Sequence, residues 1–433
     1  MIAPASSRRR SNQSMTSSRQ NFHRRLLVGA ISLGLAAWAV SSLLPSVTPS
    51  SSRSSLRSER REASSAIASK APSPLIPSPA PSPRTASPTQ SPLAAARDAY
   101  RALKLHFGAP HGLFSKYADD PKYGGAWAVA QAMDGVLGLS KLPGGGVASG
   151  RIEELFHALR FYWDGSASTP GYDKAVRAPL GPGGHKFYDD NALIGLALIR
   201  GYKVTHDTAM LARAEQVFDF EKSGWDRNAA HPFPGGVFWK QSQNSHDRNT
   251  VSTAGAAQLG LHLYLLTGKQ DDLYWTMRMY DWVNSTLRAP NGLYWDHIGL
   301  AGKIDKTLWS YNQGLMLGDS ALLFKATGNQ TYLQRARAIA DTAVAYYRHG
   351  NRLARQRPII NGIFFANLLA FDQLAPNPAY LRAAEGYAGY LERNVDHRTG
   401  VLRLSPQSFL LDQASLVQVN AYIALARRGI AGG

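Results

Sequence analysis

Apolar residues recur at i, i+3, i+4 and i+7 in twelve successive segments, and this spacing predicts twelve helices. They fall at about 94–107, 125–139, 151–162, 190–204, 207–222, 249–267, 270–286, 311–327, 330–348, 358–372, 378–393 and 412–427. Strict alternation is scarce. Only short pieces such as Gly236-Val237-Phe238-Trp239 and Leu293-Tyr294-Trp295 read as strands.

A weak repeat runs through these segments. Thr267-Gly268-Lys269-Gln270 followed by Leu273 matches Thr327-Gly328-Asn329-Gln330 followed by Leu333. Thr205-His206-Asp207-Thr208 and Ala375-Pro376-Asn377-Pro378 are looser copies. Each joins an apolar helix to a more amphipathic one. A period of roughly 50–62 residues is too long for the common open helical solenoids. Six helical hairpins of this size predict an all-α fold, a closed double ring or (α/α)6 barrel. The first helix of each pair would face the axis. Several of these start with polar or aromatic groups: Asp189-Asp190-Asn191, Asn249-Thr250, Tyr311-Asn312-Gln313, Asn361-Gly362 and Asp412-Gln413. One end of the barrel is therefore expected to be polar, although ordinary helix caps would explain Asn249 and Asp412 as well.

The first ninety residues have a different character. Residues 1–25 form a basic tail with Arg8-Arg9-Arg10, Arg19 and Arg24-Arg25. An uncharged run of 19 residues follows, Leu26 to Leu44, which as a helix spans about 28 Å. The flanking charge places the N-terminus in the cytoplasm. Two readings stand: an uncleaved transmembrane signal anchor, favoured by length, and a cleaved signal peptide with Ala37-Trp38-Ala39 as its site. The Arg pair also permits twin-arginine export. Residues 45–93 are Ser-, Pro- and Ala-rich and predict a disordered, extended linker. Residues 94–433 then form the helical domain, which acts extracytoplasmically, anchored or secreted.

Of the net charge of +18, residues 1–93 hold twelve Lys and Arg against two Glu, so +8 remains on the other 340 residues. This disfavours a nucleic-acid groove in the body. The absence of Cys excludes disulfides and thiolate metal sites. His106, His111, His185, His246 and His297 stand apart, with no His-x-x-x-His or His-Glu spacing, so no metal and no cofactor is expected. The Gly-rich stretches at 144–146 and 181–184 lack the Lys-Ser/Thr of a phosphate loop, and no Gly-x-Ser-x-Gly elbow occurs.

Asp189 and Asp190 carry the strongest chemical signal. One reading is a capped helix start, because Asp and Asn before an apolar run accept bonds from the first free N–H groups. The other follows from charge. Carboxylates about 5 Å apart repel by about 3 kcal/mol at an effective dielectric near 20, whereas a helix N-terminus returns about 0.3–1 kcal/mol. One carboxyl should therefore keep its proton well above the ordinary range. An ionised and a protonated carboxyl about 5–5.5 Å apart is what a retaining glycosidase uses.

The chain resembles glycoside hydrolase family 76, the endo-α-1,6-mannanase family, over roughly 95–430. The matching pieces are Phe187-Tyr188-Asp189-Asp190-Asn191, Gly235-Gly236-Val237-Phe238-Trp239, Arg248-Asn249-Thr250-Val251-Ser252, Trp295-Asp296-His297-Ile298 and Trp309-Ser310-Tyr311-Asn312-Gln313-Gly314. Thr327-Gly328 followed by Tyr332-Leu333 completes the set. The resemblance implies an (α/α)6 barrel that hydrolyses α-1,6-linked mannose chains with retention, with Asp189 as nucleophile and Asp190 as acid/base. By position its groove would be lined by Trp127, Tyr188, Asn191, Trp239, Asn249, Trp295, Asp296, Trp309, Tyr311, Asn312 and Gln313. Thr253 stands where the family often has Asn, which would remove an amide from the groove; Leu193 and Ile194 replace aromatic residues and would alter wall packing.

The implied partner is an α-mannan-like polysaccharide acted on by a monomer, with the membrane as a second partner if Leu26–Leu44 is uncleaved. Three rivals stand beside hydrolysis: an envelope transglycosidase, a non-catalytic glycan-binding protein with a vestigial site, and another (α/α)6 sugar enzyme. The adjacent Asp pair counts against the last. Trp275 and Trp282 read as inter-helix packing, while Trp239, Trp295 and Trp309 read equally as packing or as sugar-stacking rings. Asp296 either orients a sugar hydroxyl or bonds a loop.

Overall fold

A computed structural model describes residues 90–147 and 150–430. The basic tail, the Leu26–Leu44 run and nearly all of the linker lie outside the described residues. Among the described residues no helix is long and apolar enough to cross a membrane.

The described chain is mostly helical, with α1 (Pro92–Phe107), α2 (Ala126–Ser140), α3 (Gly150–Leu159), α4 (Tyr188–Thr205), α5 (Thr208–Ser223) and α6 (Thr250–Thr267). There follow α7 (Gln270–Thr286), α8 (Ser310–Thr327), α9 (Gln330–Tyr347), α10 (Pro358–Asp372), α11 (Pro378–Glu392) and α12 (Leu410–Ala426). Pro92, expected at the end of the linker, opens α1 instead, because proline suits the first helical position and Ser91 caps the Ala94 N–H at 3.3 Å.

The even-numbered helices form the inner ring. α2 packs on α4, α4 on α6, α6 on α8, α8 on α10, α10 on α12, and α12 back on α2. Each of α3, α5, α7 and α9 lies outside the inner helix that precedes it. The closure differs from six consecutive hairpins. The outer partner of α12 is α1, so one pair joins the two ends of the described chain.

Burial explains the two helix types. In α6 every residue from Thr250 to Leu261 is buried, because the helix touches neighbours on both sides, an outer helix and the axis. Outer α7 buries one stripe, Asp272, Thr276, Met279, Tyr280 and Val283. Small residues let the ring close: a side chain on Gly314 would meet the Phe364 Cα at 2.6 Å.

The Thr-Gly repeat is a helix ending. Thr205, Thr267 and Thr327 each donate to the carbonyl four residues back, at 3.0, 2.9 and 2.7 Å. Each hydroxyl also accepts the N–H two residues ahead. The next residue, His206, Gly268 or Gly328, turns left-handed with φ of 60°, 73° and 70°. Asp207 and Asn329 then cap the following outer helix.

The loops before the inner helices carry the short strands. β1 (Trp163–Asp164) pairs antiparallel with β2 (Gly171–Tyr172). β3 (Asp247–Asn249), β4 (His297–Gly299) and β5 (Ile304–Asp305) form an antiparallel sheet with Asn249 opposite His297. β6 (Val395–Asp396) pairs with β7 (Val401–Leu402). The pieces expected as strands at 236–239 and 293–295 make single bridges only, through Val237, Phe238 and Tyr294. Gly236 has φ +80°, and a Cβ there would strike the Trp282 ring at 2.5 Å. The Gly-Gly turn thus lies against Trp282, which is buried as packing.

Candidate active site

These loops are stitched together at the N-terminal end of the inner ring. The bridge between Phe187 and Lys240 ties the segments before α4 and α6, and β3 with β4 ties those before α6 and α8. Gln356 accepts the Ser310 N–H at 2.8 Å, and Arg357 bonds Asp412 at 2.9 Å. Buried Arg248 pins the lip: it donates to Asp226 at 2.7 Å and to the carbonyls of Phe233, Pro232 and Gly299.

Asp189 and Asp190 lie in the first turn of α4, one residue past its start. The residue at the cap is Phe187, which makes no side-chain capping bond, so the simple cap reading fails. The Asp189 carboxylate accepts the Asp190 N–H at 2.9 Å through Oδ1 and the Trp239 indole N–H at 3.2 Å through Oδ2. Burial, and then the Asp190 charge, hold the Asp189 carboxyl well above the usual range, against the pull of these donors. Burial pushes Asp190 up to about 7, with Lys174 pulling the other way. Asp189 is only 5% exposed, while Asp190 keeps part of its surface open. The pair thus retains a proton near neutrality, with burial rather than mutual repulsion as the leading cause, and the two N–H donors favour the anion on Asp189.

A second acidic group faces the same region. Asp296 Oδ1 accepts the Asn312 amide at 3.3 Å and Oδ2 is 2.9 Å from His297 Nδ1. Burial works against the His297 imidazolium, but the bond to Asp296 and the nearby Asp247 and Asp305 outweigh it, so its pKa is raised. Tyr311 joins the two acidic centres: burial, then Asp296 and then Asp189 push its hydroxyl up. Trp127, Trp239, Trp295 and Trp309 are all partly exposed. The Trp127 indole nitrogen, Asn249 Oδ1 and Asn312 Oδ1 are buried atoms with no hydrogen-bond partner among the described residues.

Three expected groove residues are placed elsewhere. Tyr188 stacks on Phe220 at 4.6 Å between α4 and α5 and is 4% exposed. Asn191 is fully buried, accepting the Tyr172 N–H at 2.7 Å and donating to the carbonyls of Tyr172 and Phe187. Gln313 is fully buried too, accepting the Tyr294 N–H at 2.8 Å and donating to the carbonyls of Tyr294 and Trp309.

The physical reason is a recurring clamp. Three residues past the start of five of the six inner helices, all but α2, where Val129 stands, a buried polar side chain satisfies the backbone of an adjoining segment. Thr253 accepts the Val237 N–H at 2.9 Å; Asn361 donates to the Leu353 carbonyl at 2.9 Å. Gln413 accepts from Leu402 and donates to Ala99 and Gly400. Thr253 is therefore a clamp, not a missing groove amide, and Leu193 and Ile194 are buried in the wall. Residues absent from the expected set are Lys174, His297, Arg357 and Glu221. Both Glu221 oxygens are buried without partners among the described residues, and burial, then the Asp189 charge, push this carboxyl well above its ordinary range. Nothing in its local sequence marks it.

The family model of glycosyl hydrolase family 76 matches residues 96–392. The chain belongs to glycosyl hydrolase family 76. Among curated relatives of this family 76 chain, mannan endo-1,6-alpha-mannosidase DCW1 of Candida glabrata is 27% identical over 176 residues, covering 37% of this chain and 39% of the relative. The Candida albicans counterpart is 26% identical over 213 residues, 44% of this chain and 46% of the relative. The matches thus span less than half of these relatives. Among solved structures, a family 76 mannosidase of Bacteroides thetaiotaomicron superposes with a TM-score of 0.69 at 20% identity, covering 78% of this chain and 99% of that one. An inactive double Asp-to-Asn variant of an α-1,6-mannanase from Salegentibacter sp. HEL1_6, in complex with α-1,6-mannotriose, gives 0.65 at 21% identity, with coverages of 78% and 100%. The likeness shows the fold, an α/α barrel.

Proposed function

We propose that this family 76 protein is a retaining glycosidase that cleaves α-1,6-mannosidic linkages in a mannan-like polysaccharide. The observation that carries the reading is the adjacent carboxyl pair, both members raised by burial, with an indole N–H and a backbone N–H aimed at one of them. The Asp189 carboxylate attacks the anomeric carbon and the C1–O bond breaks. Asp190 gives its proton to the departing oxygen. Asp190 then takes a proton from water, the hydroxide attacks C1, and Asp189 is released as the carboxylate. The partly exposed Trp127, Trp239, Trp295 and Trp309 would stack on sugar rings, and Asp296 with Asn249 and Asn312 would hold hydroxyls. An extracytoplasmic site of action, with the chain anchored through Leu26–Leu44 or cleaved at Ala37-Trp38-Ala39, belongs to the same reading.

The test is incubation of the full chain with α-1,6-mannan, with early products resolved by NMR. Expected are shorter mannosides whose new reducing end first appears in the α configuration, and no product from Asp189→Asn with an unchanged circular dichroism spectrum. Near-normal turnover by that variant, or first products in the β configuration, would refute it. Transfer to an added sugar acceptor in preference to water would move the assignment to transglycosylation.

A further inference from the structure

At the opposite end of the barrel, where the inner helices finish, lies a cavity of about 280 Å3. It approaches the roughly 300 Å3 at which small-molecule sites begin. One wall is cationic: Arg200, Lys203 and Lys325 line it beside His262. Apolar side chains, Leu265, Leu266, Phe371 and Leu374, complete the lining, and Leu265 is 42% exposed. Among the described residues no carboxylate lines the cavity. Asp134, just beneath, is already bonded to Arg200. Among the described residues Lys203 Nζ reaches the imidazole Nδ1 of His262, at 3.3 Å.

The bland account is that Lys203 and Lys325 sit in the last turns of α4 and α8 and offset the helix dipoles. In that case the ammonium of Lys203 would be stabilised where it is. Instead its pKa is lowered to about 8, first by burial and then by Arg200, Lys141 and Lys325. Burial, and then Lys203, Arg200 and Lys325, push the His262 imidazole well below its ordinary range. Lys203 and Lys325 thus stand close enough to feel each other's charge, beside the apolar side chains of the same cavity.

We propose that this far-end cavity binds a small organic anion, a phosphate or carboxylate group carried on an apolar skeleton, with the charge on Lys203, Lys325 and Arg200 and the carbon portion against Leu265 and Phe371. The site is independent of the catalytic pair, which lies at the other end of the inner helices.

Phenyl phosphate is the probe, titrated into the full chain by calorimetry, with inorganic phosphate and benzyl alcohol as the charge-only and apolar-only controls. Phenyl phosphate should bind at least about tenfold more tightly than either control, and added salt should weaken it. The Lys203→Gln/Lys325→Gln variant should lose at least about tenfold in affinity while keeping its melting temperature and mannan hydrolysis. No binding of phenyl phosphate at millimolar concentration, or equal binding by the variant, overturns the proposal. A variant that melts earlier and binds nothing, set beside a parent that also binds nothing, returns the two lysines to a purely structural role.

Discussion

Replacing Trp239 by Phe isolates the one side-chain donor aimed at the proposed nucleophile. The Trp239 N–H lies 3.2 Å from Asp189 Oδ2, at the long end for such a bond. A bond to a charged acceptor contributes about 1.5–3 kcal/mol, so the lower figure applies. That converts to about one pKa unit. The sign follows from which state the donor favours. The indole stabilises the Asp189 anion, so its loss raises the pKa at which that anion forms. If the singly ionised pair carries its charge on Asp189, the first ionisation moves up by about one unit. The second, from Asp190, is unchanged, because the Asp189 anion is present on both sides of it. The pH profile of kcat/KM on α-1,6-mannan should then shift its acid limb upward by about one unit and leave its alkaline limb in place. Phe keeps the ring contact with Phe187, now 5.0 Å, so KM should change less than kcat. An unmoved acid limb with a shifted alkaline limb would place the charge on Asp190 and reverse the two roles.

Other outcomes follow from the same geometry. Asp190→Asn should lower kcat on mannan by about 10^2–10^4 and abolish the alkaline limb near pH 7, with activity partly restored on an aryl mannoside whose leaving group needs no proton. Stability should fall as pH rises from about 4 to 7. The folded Asp190, at about 7, holds a proton that the unfolded residue has released; urea melts across pH should show this slope, and the Asp189→Asn/Asp190→Asn double variant should make it shallower, the remainder coming from other buried acids such as Glu221 and Asp319. Gln313→Ala strips both polar groups of Tyr294 and the Trp309 carbonyl of a buried partner, so it should cost about 2–3 kcal/mol in urea unfolding, more than Gln270→Ala on the exposed surface.

Local chemistry is legible wherever the cause lies within a few residues. The twelve helices follow from apolar spacing, and the inner members are recognisable because nearly every position is apolar or small. The Thr-Gly turns were visible as a repeat because hydroxyl, left-handed glycine and next cap are consecutive in the chain. The polar starts of the inner helices were visible too, but their purpose was not. Asn191 and Gln313 look like groove amides and Gln413 like part of a polar helix start, yet each is consumed by backbone brought from another segment, in Gln413 as far away as Ala99. An amide carries no mark of which partner it will meet.

The sequence by itself therefore determined the helical content, the weak internal period and the two neighbouring carboxyls, since all three rest on short-range spacing. Only the tertiary structure decided that α1 completes the ring beside α12, that Trp239 is the donor serving Asp189, and that a cationic cavity opens at the far end. These depend on contacts between residues tens to hundreds of positions apart. Such contacts are set by how a closed ring of helices shares its burial among all its members, and no window along the chain contains that information.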